Sequence, residues 1–129
     1  MNKEDHIAYW KNSSQENWDM ALFCIEGKRN LEALFFIHLT IEKLLKANWV
    51  RDNFGNTPPL THELQKIHGE TMLGNDSDYH DFYMIVNSWN IETRYPDYKN
   101  TLRKLANQKY IDHHLDKTKS LRAWLLSRI

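Results

Sequence analysis

Cysteine is almost missing from this chain: Cys24 stands alone among 129 residues. One thiol can form neither an internal disulfide nor a Cys-rich zinc site, so a reducing cytoplasm is the expected setting. Glycine and proline are also scarce, at four and three residues, and they are bunched rather than spread along the chain. An all-β chain of this length needs turn residues at regular short intervals, so that class is excluded. So is a Gly-rich phosphate loop, and with it a P-loop or dinucleotide fold. There is no excess of either charge sign, with 17 basic and 17 acidic residues. A duplex-DNA or anionic-membrane partner calls for a basic surplus, although a local basic cleft remains compatible. No apolar run approaches membrane-spanning length, and the polar start Met1–Asp5 has no apolar stretch behind it, so no membrane association is expected.

What the chain does have is large side chains at helical spacing. Five Trp, six Tyr and five Phe provide a small core with the area it needs to bury. Trp10, Ser14, Trp18, Ala21 and Ile25 mark one face of a helix from about Glu4 to Glu26, with Gly27 at its C-terminal cap. Asn30 is read as the N-cap of a second helix running to about Asp52. Its wide apolar face (Leu31, Leu34, Phe35, Ile37, Leu39, Ile41, Leu44, Leu45, Trp49) makes it the central element. Asn53 to Leu60 reads as a loop, Thr61 as the cap of a short third helix, and Asp76 or Ser77 as the cap of a fourth. Tyr79, Phe82, Tyr83, Val86 and Trp89 or Asn90 form the inner side of that fourth helix, which must end before Pro96. The stretch from Asp97 to about Asn107 reads as irregular or weakly helical, and a last helix runs from Gln108 to about Leu126. The fold class is therefore all-α: one domain over 1–129, an up-and-down bundle of about five helices.

Groups able to do chemistry are few. His62, His68 and His80 fit no compact ligand spacing, and His113 and His114 are neighbours on a helix, so neither a metal nor another cofactor is expected. Cys24 is mid-helix among apolar residues and is expected to be inert. Two segments stand out. In Phe36–Ala47, His38 and Glu42 lie one turn apart on an apolar stripe, with Lys43 and Lys46 beside them. They form either a buried polar pair flanked by two solvated lysines or a site for a phosphate or an interface. In Asn90–Asp97, Arg94 can grip a phosphate while Tyr95 stacks on a base, or Arg94 can close its own loop on Glu92 or Asp97.

Taken together and in order, these segments resemble bacterial HEPN-domain proteins. Phe35-x-x-His38-Leu39-x-Ile41-Glu42-Lys43-Leu44-Leu45-Lys46-Ala47 is similar to the family's second helix, and Pro58-Pro59-Leu60-Thr61-His62-Glu63-Leu64 to its entry to the third. Arg94-Tyr95-Pro96-Asp97 resembles its turn before the final helix, and Tyr9-Trp10, Trp18-Asp19 and Trp124 also fit. The resemblance implies a helical bundle, usually dimeric and without a metal, linked to nucleotides, to RNA cleavage in toxins, or to small nucleotidyltransferase partners. Family ribonucleases resemble one another in an Arg followed within a few residues by a His. Arg94 matches the arginine, but Lys99, Asn100 and Thr101 occupy the window for the histidine.

Binding without catalysis is the resulting expectation. It pictures a homodimer that engages a nucleotide, RNA or a nucleotidyltransferase subunit through Arg94, Tyr95, Asp97, Lys43 and Lys46, with His38 and Glu42 ordering the cleft. A metal-independent ribonuclease with an altered site around Arg94, in which Tyr95, Asp97 or a distant His62 substitutes for the missing histidine, is the alternative. A scaffold whose polar groups only set packing and register is a third reading.

Overall fold

The computed structural model describes residues 1–75 and 79–129. Its helices are α1 (Lys3–Glu26), α2 (Asn30–Asp52), α3 (Leu64–Gly69), α4 (His80–Asn87), α5 (Pro96–Leu105) and α6 (Gln108–Ser127), with one 3-10 turn at Ile91–Thr93. No strand occurs among the described residues, and the all-α expectation is met.

Local chemistry explains the long helices. Asn2 Oδ1 accepts from Asp5 N (2.8 Å) while Asp5 Oδ2 accepts from Asn2 N (3.0 Å), a reciprocal cap that starts α1. Gly27 caps its end, and the chain reverses through Lys28, which takes the left-handed conformation (φ 59°). Asn30 is not the cap it was expected to be. Arg29 holds that position without a side-chain bond, and the Asn30 amide instead donates to Ala106 O at 2.9 Å, tying α2 to the start of α6. Helix α3 begins later than Thr61 because Thr61 Oγ1 turns back to accept from Glu63 N. The expected caps of α4, Asp76 and Ser77, lie outside the described residues.

The largest departure is α5, a regular helix where an irregular or weakly helical stretch was expected. Tyr95 is extended (ψ 159°), as a residue before proline prefers, and Pro96 then occupies the first helical position, where its missing N–H costs nothing. Proline opens α5 here; α4 has already ended at Asn87 and the 3-10 turn at Thr93.

Helix α2 is central, with Leu31, Leu34, Ile37, Ile41, Leu44 and Leu45 all buried. Helix α1 runs antiparallel to it, clasped by Lys43 Nζ on Ser13 Oγ (2.7 Å) midway and by Lys3 on Val50 O (2.7 Å) at the far end. Helix α6 runs parallel to α2, since Asn30 meets Ala106 at one end and Asn48 Nδ2 donates to Leu125 O (3.3 Å) at the other. Helices α3 and α4 cover the remaining side. Tyr83 donates to His68 Nδ1 (2.8 Å), whose Nε2–H donates to Gly74 O (2.7 Å), and the His68 ring stacks on Trp124. Trp89 is fully buried and its indole donates to Tyr110 of α6 at 3.0 Å.

Candidate functional site

The polar stripe of α2 is partnered by tertiary structure. His38 and Glu42 were expected to pair with each other, and they do not. The fully buried His38 donates from Nε2 to the backbone oxygen of His62 at 3.0 Å. Burial pushes its imidazole below the ordinary histidine range, which agrees with a neutral ring protonated on Nε2 alone. Its Nδ1 is buried with no partner among the described residues.

Glu42 takes the His62 ring and Lys46. Its Oε1 accepts from His62 Nδ1 at 2.8 Å, and its Oε2 lies 3.2 Å from Lys46 Nζ. The carboxylate is buried while 58% of the His62 side chain is exposed. The outcome is a largely exposed histidine ring oriented from beneath by a buried carboxylate. Lys46 is not the solvated lysine it was expected to be. It is 7% exposed, held between Glu42 and the face of Trp10, whose centroid is 5.1 Å from Nζ. Lys43 is half-buried and bonded to Ser13, and burial lowers its ammonium below the usual lysine range. Both lysines therefore hold α2 in place within the fold.

Arg94, Tyr95 and Asp97 form a second cluster on the surface between the 3-10 turn and α5. Arg94 closes on neither Glu92 nor Asp97. Its guanidinium lies over the Tyr98 ring (5.1 Å) and donates to Asn87 O at 3.4 Å, and no carboxylate among the described residues reaches it as an ion pair. Tyr95 is 85% exposed. A guanidinium over one phenol, next in sequence to a second, uncovered phenol, offers a phosphate grip and a stacking platform together.

Asn87 joins the two clusters. Its Oδ1 accepts from Leu64 N (3.1 Å) and its Nδ2 donates to Gln65 Oε1 (2.7 Å), while its backbone oxygen takes Arg94. The entry to α3, which carries His62, and the turn carrying Arg94 are thus fastened to one residue. Reading by residue type left His62 as a remote possibility, placed Trp10 only on a helix face, and overlooked Asn87. His62 lies 20 residues from Glu42 and Asn87 lies 23 from Leu64, and no helical or strand period links positions so far apart. The only signal was the placement of His62 in the Pro-x-Thr-His segment.

The remaining candidates are structural. His114 is half-buried against Tyr110 and Trp89, and burial lowers its imidazole. The His113 and His114 rings do not diverge, as neighbours on a helix were expected to, but meet edge to face at 4.8 Å. Cys24 is buried, and burial together with nearby Glu32 pushes its thiol up, as expected of an inert cysteine.

A family model described as HEPN domain matches residues 7–129, nearly the whole chain. No curated protein and no solved structure matches.

Proposed function

The chain belongs to the HEPN-domain family, and on that premise we propose a nucleotide- or RNA-binding module whose contact edge is Arg94–Tyr95–Asp97. HEPN domains are associated with RNA- and nucleotide-related function, which sets the class of ligand. The observation that carries the reading is the Arg94 guanidinium, resting on Tyr98 without a carboxylate partner among the described residues, next to the uncovered Tyr95 ring. Arginine in that state is ready for a planar, doubly hydrogen-bonded phosphate contact. Asp97 would bias the edge toward hydroxyl and amino groups beside the phosphate. His38 and Glu42 hold the His62 segment that Asn87 ties to this edge, while Lys43 and Lys46 brace α2 against α1.

Fluorescence anisotropy with a short single-stranded RNA tests this reading. Arg94→Ala should weaken binding and lower the salt slope by about one. Tyr95→Ala should cost about five-fold or more. Both residues are exposed, so neither change should alter the melting temperature. Equal affinity for wild type and both variants would overturn the assignment.

The same proposal makes the working form a homodimer acting with a small nucleotidyltransferase, as in toxin–antitoxin pairs. Exposed Met84 and Ile85 on α4 and Leu105 on α5 flank the Arg94 turn in sequence and supply apolar surface for such contacts. Sedimentation of the protein alone and with such a partner tests it, and a monomer under both conditions would remove this part.

A second reading, metal-independent RNA cleavage, gains from one observation: His62 is exposed, oriented by Glu42, and fastened through Asn87 to the Arg94 turn. That supplies an imidazole where the segment after Arg94 has none. Cleavage of RNA in EDTA that disappears in both Arg94→Ala and His62→Ala would favour it over binding alone.

A further inference from the structure

A groove that shares no residue with the Arg94 edge opens between the first turns of α1 and the loop joining α2 to α3. His6, Tyr9, Trp10, Asn56, Thr57 and Pro58 line about 330 Å³ of space, at the small end of the range for small-molecule sites. One wall is an aromatic corner, in which the Tyr9 and Trp10 rings meet nearly edge to face at 5.2 Å and 76°. Trp10 is held by Lys46, which Glu42 holds in turn. The opposite wall is stitched to α1 by Lys3, whose ammonium sits among Val50 O (2.7 Å), Asn53 O (2.7 Å), Gly55 O (3.1 Å) and Asn56 Oδ1 (3.0 Å). That last bond fixes which end of the Asn56 amide is occupied. Its NH2 has no acceptor among the described residues.

These features specify a ligand type. Two rings meeting at a corner offer one face for stacking and a second for an edge contact. One amide donor matches one ring nitrogen or exocyclic oxygen. No carboxylate lines the groove, so a cationic amine would find no counter-charge there. A flat, neutral heterocycle bearing acceptors meets all three conditions.

We propose that this groove takes one unpaired nucleobase, stacked on the Trp10 indole with Tyr9 as its second wall and the Asn56 amide donating to a base acceptor. The identification of the ring as a nucleobase rests on the nucleotide-or-RNA reading above; the geometry of the groove does not. The base belongs either to a free nucleoside monophosphate or to one unit of a single strand. Lys3 is a positioning residue, since it acts only by holding Asn56 and the loop against α1.

Nitrogen-edited NMR of the full chain, following the Trp10 indole N–H and the Asn56 side-chain NH2, provides the test. The titrants are AMP, UMP and a short unstructured oligoadenylate. Both signals are expected to shift in a saturable way. Trp10→Ala should weaken the response at Asn56 by about five- to a hundred-fold, while Trp10→Phe, which keeps a ring over Lys46, should retain most of it. Lys3→Met should weaken it while leaving the Trp10 ring in place. A response to the monophosphates identifies the free nucleotide as a source, and a response to the oligoadenylate alone identifies the strand. If neither signal moves with any of the three in the folded wild-type protein, the proposal is overturned. Arg94→Ala separates the two sites. Loss of oligonucleotide affinity with the Trp10 shifts intact would leave the groove standing, and Arg94-dependent binding with a silent Trp10 would sink the groove alone.

Discussion

Replacing Glu42 by Gln removes a buried charge while keeping its shape. In the wild type, Glu42 and Lys46 have side chains only 5% and 9% exposed and lie 3.2 Å apart. Taking one member from such a pair leaves the other charged and buried, which costs about 3–5 kcal/mol. Two features place this case at the lower end. The Trp10 face continues to attract the ammonium, by about 1 kcal/mol, and the Gln oxygen still accepts a hydrogen bond from it. The loss of the His62 contact adds little, because that ring is largely exposed and water can replace the bond. The expected destabilisation is about 3 kcal/mol, which for a chain of this length lowers the melting temperature by roughly 10 °C. Urea unfolding measures it directly. The decisive comparison is the double variant Glu42→Gln/Lys46→Met, in which no charge is left unpaired. It should recover about 2 kcal/mol relative to Glu42→Gln alone. A single-variant loss below about 1 kcal/mol, or a double variant no better than the single, would refute the claim that this pair is electrostatically closed from solvent.

Stability should fall in mild acid. The folded His38 imidazole lies below its unfolded value near 6.5, so the unfolded chain binds more protons as the pH drops past that value, and stability declines until the folded ring also titrates. His114 acts in the same direction. Urea midpoints between about pH 7.5 and 5 should show this loss, and His38→Gln should flatten the slope; an unchanged slope would contradict the neutral buried ring. Tyr83→Phe should cost about 1–2 kcal/mol, because it strips the donor from the buried His68 Nδ1, and an effect within error would show that His68 has another partner. Lys28→Gly should stabilise by about 0.5–1 kcal/mol in the same assay, since the residue already has a positive φ; destabilisation would mean that the Lys28 side chain makes a favourable contact.

Local chemistry was enough to read most of the helices. Gly27, the apolar width of α2 and the spacing of Ile111, Thr118, Leu121 and Leu125 all act within a turn or two. The bounds of α1, α2 and α6 accordingly fall within a residue or two of those expected. Helix α5 was legible only as irregular or weakly helical because Pro96 can stop a helix or start one, and which it does depends on the Tyr95 backbone before it. The direction of α6 beside α2 was not legible at all, since it follows from contacts such as Asn30 with Ala106 that no periodicity encodes.

The site divides in the same way. Sequence by itself singled out the residue types, a His and a Glu on an apolar stripe and an Arg–Tyr pair before a proline, because polar groups on an apolar face and a guanidinium, a phenol and carboxylates crowded beside a rigid proline are local anomalies. It also carried the family, through motifs that span nearly the whole chain. Which groups meet was decided by tertiary structure alone. Glu42 takes His62 and Lys46 rather than His38, and Trp10 covers Lys46. Asn87 fastens the His62 segment to the Arg94 turn, and Lys3 draws a loop across α1 to make a groove. The physical reason is that a buried polar group must find a partner wherever the packed chain happens to supply one, and only the packed chain determines where that is.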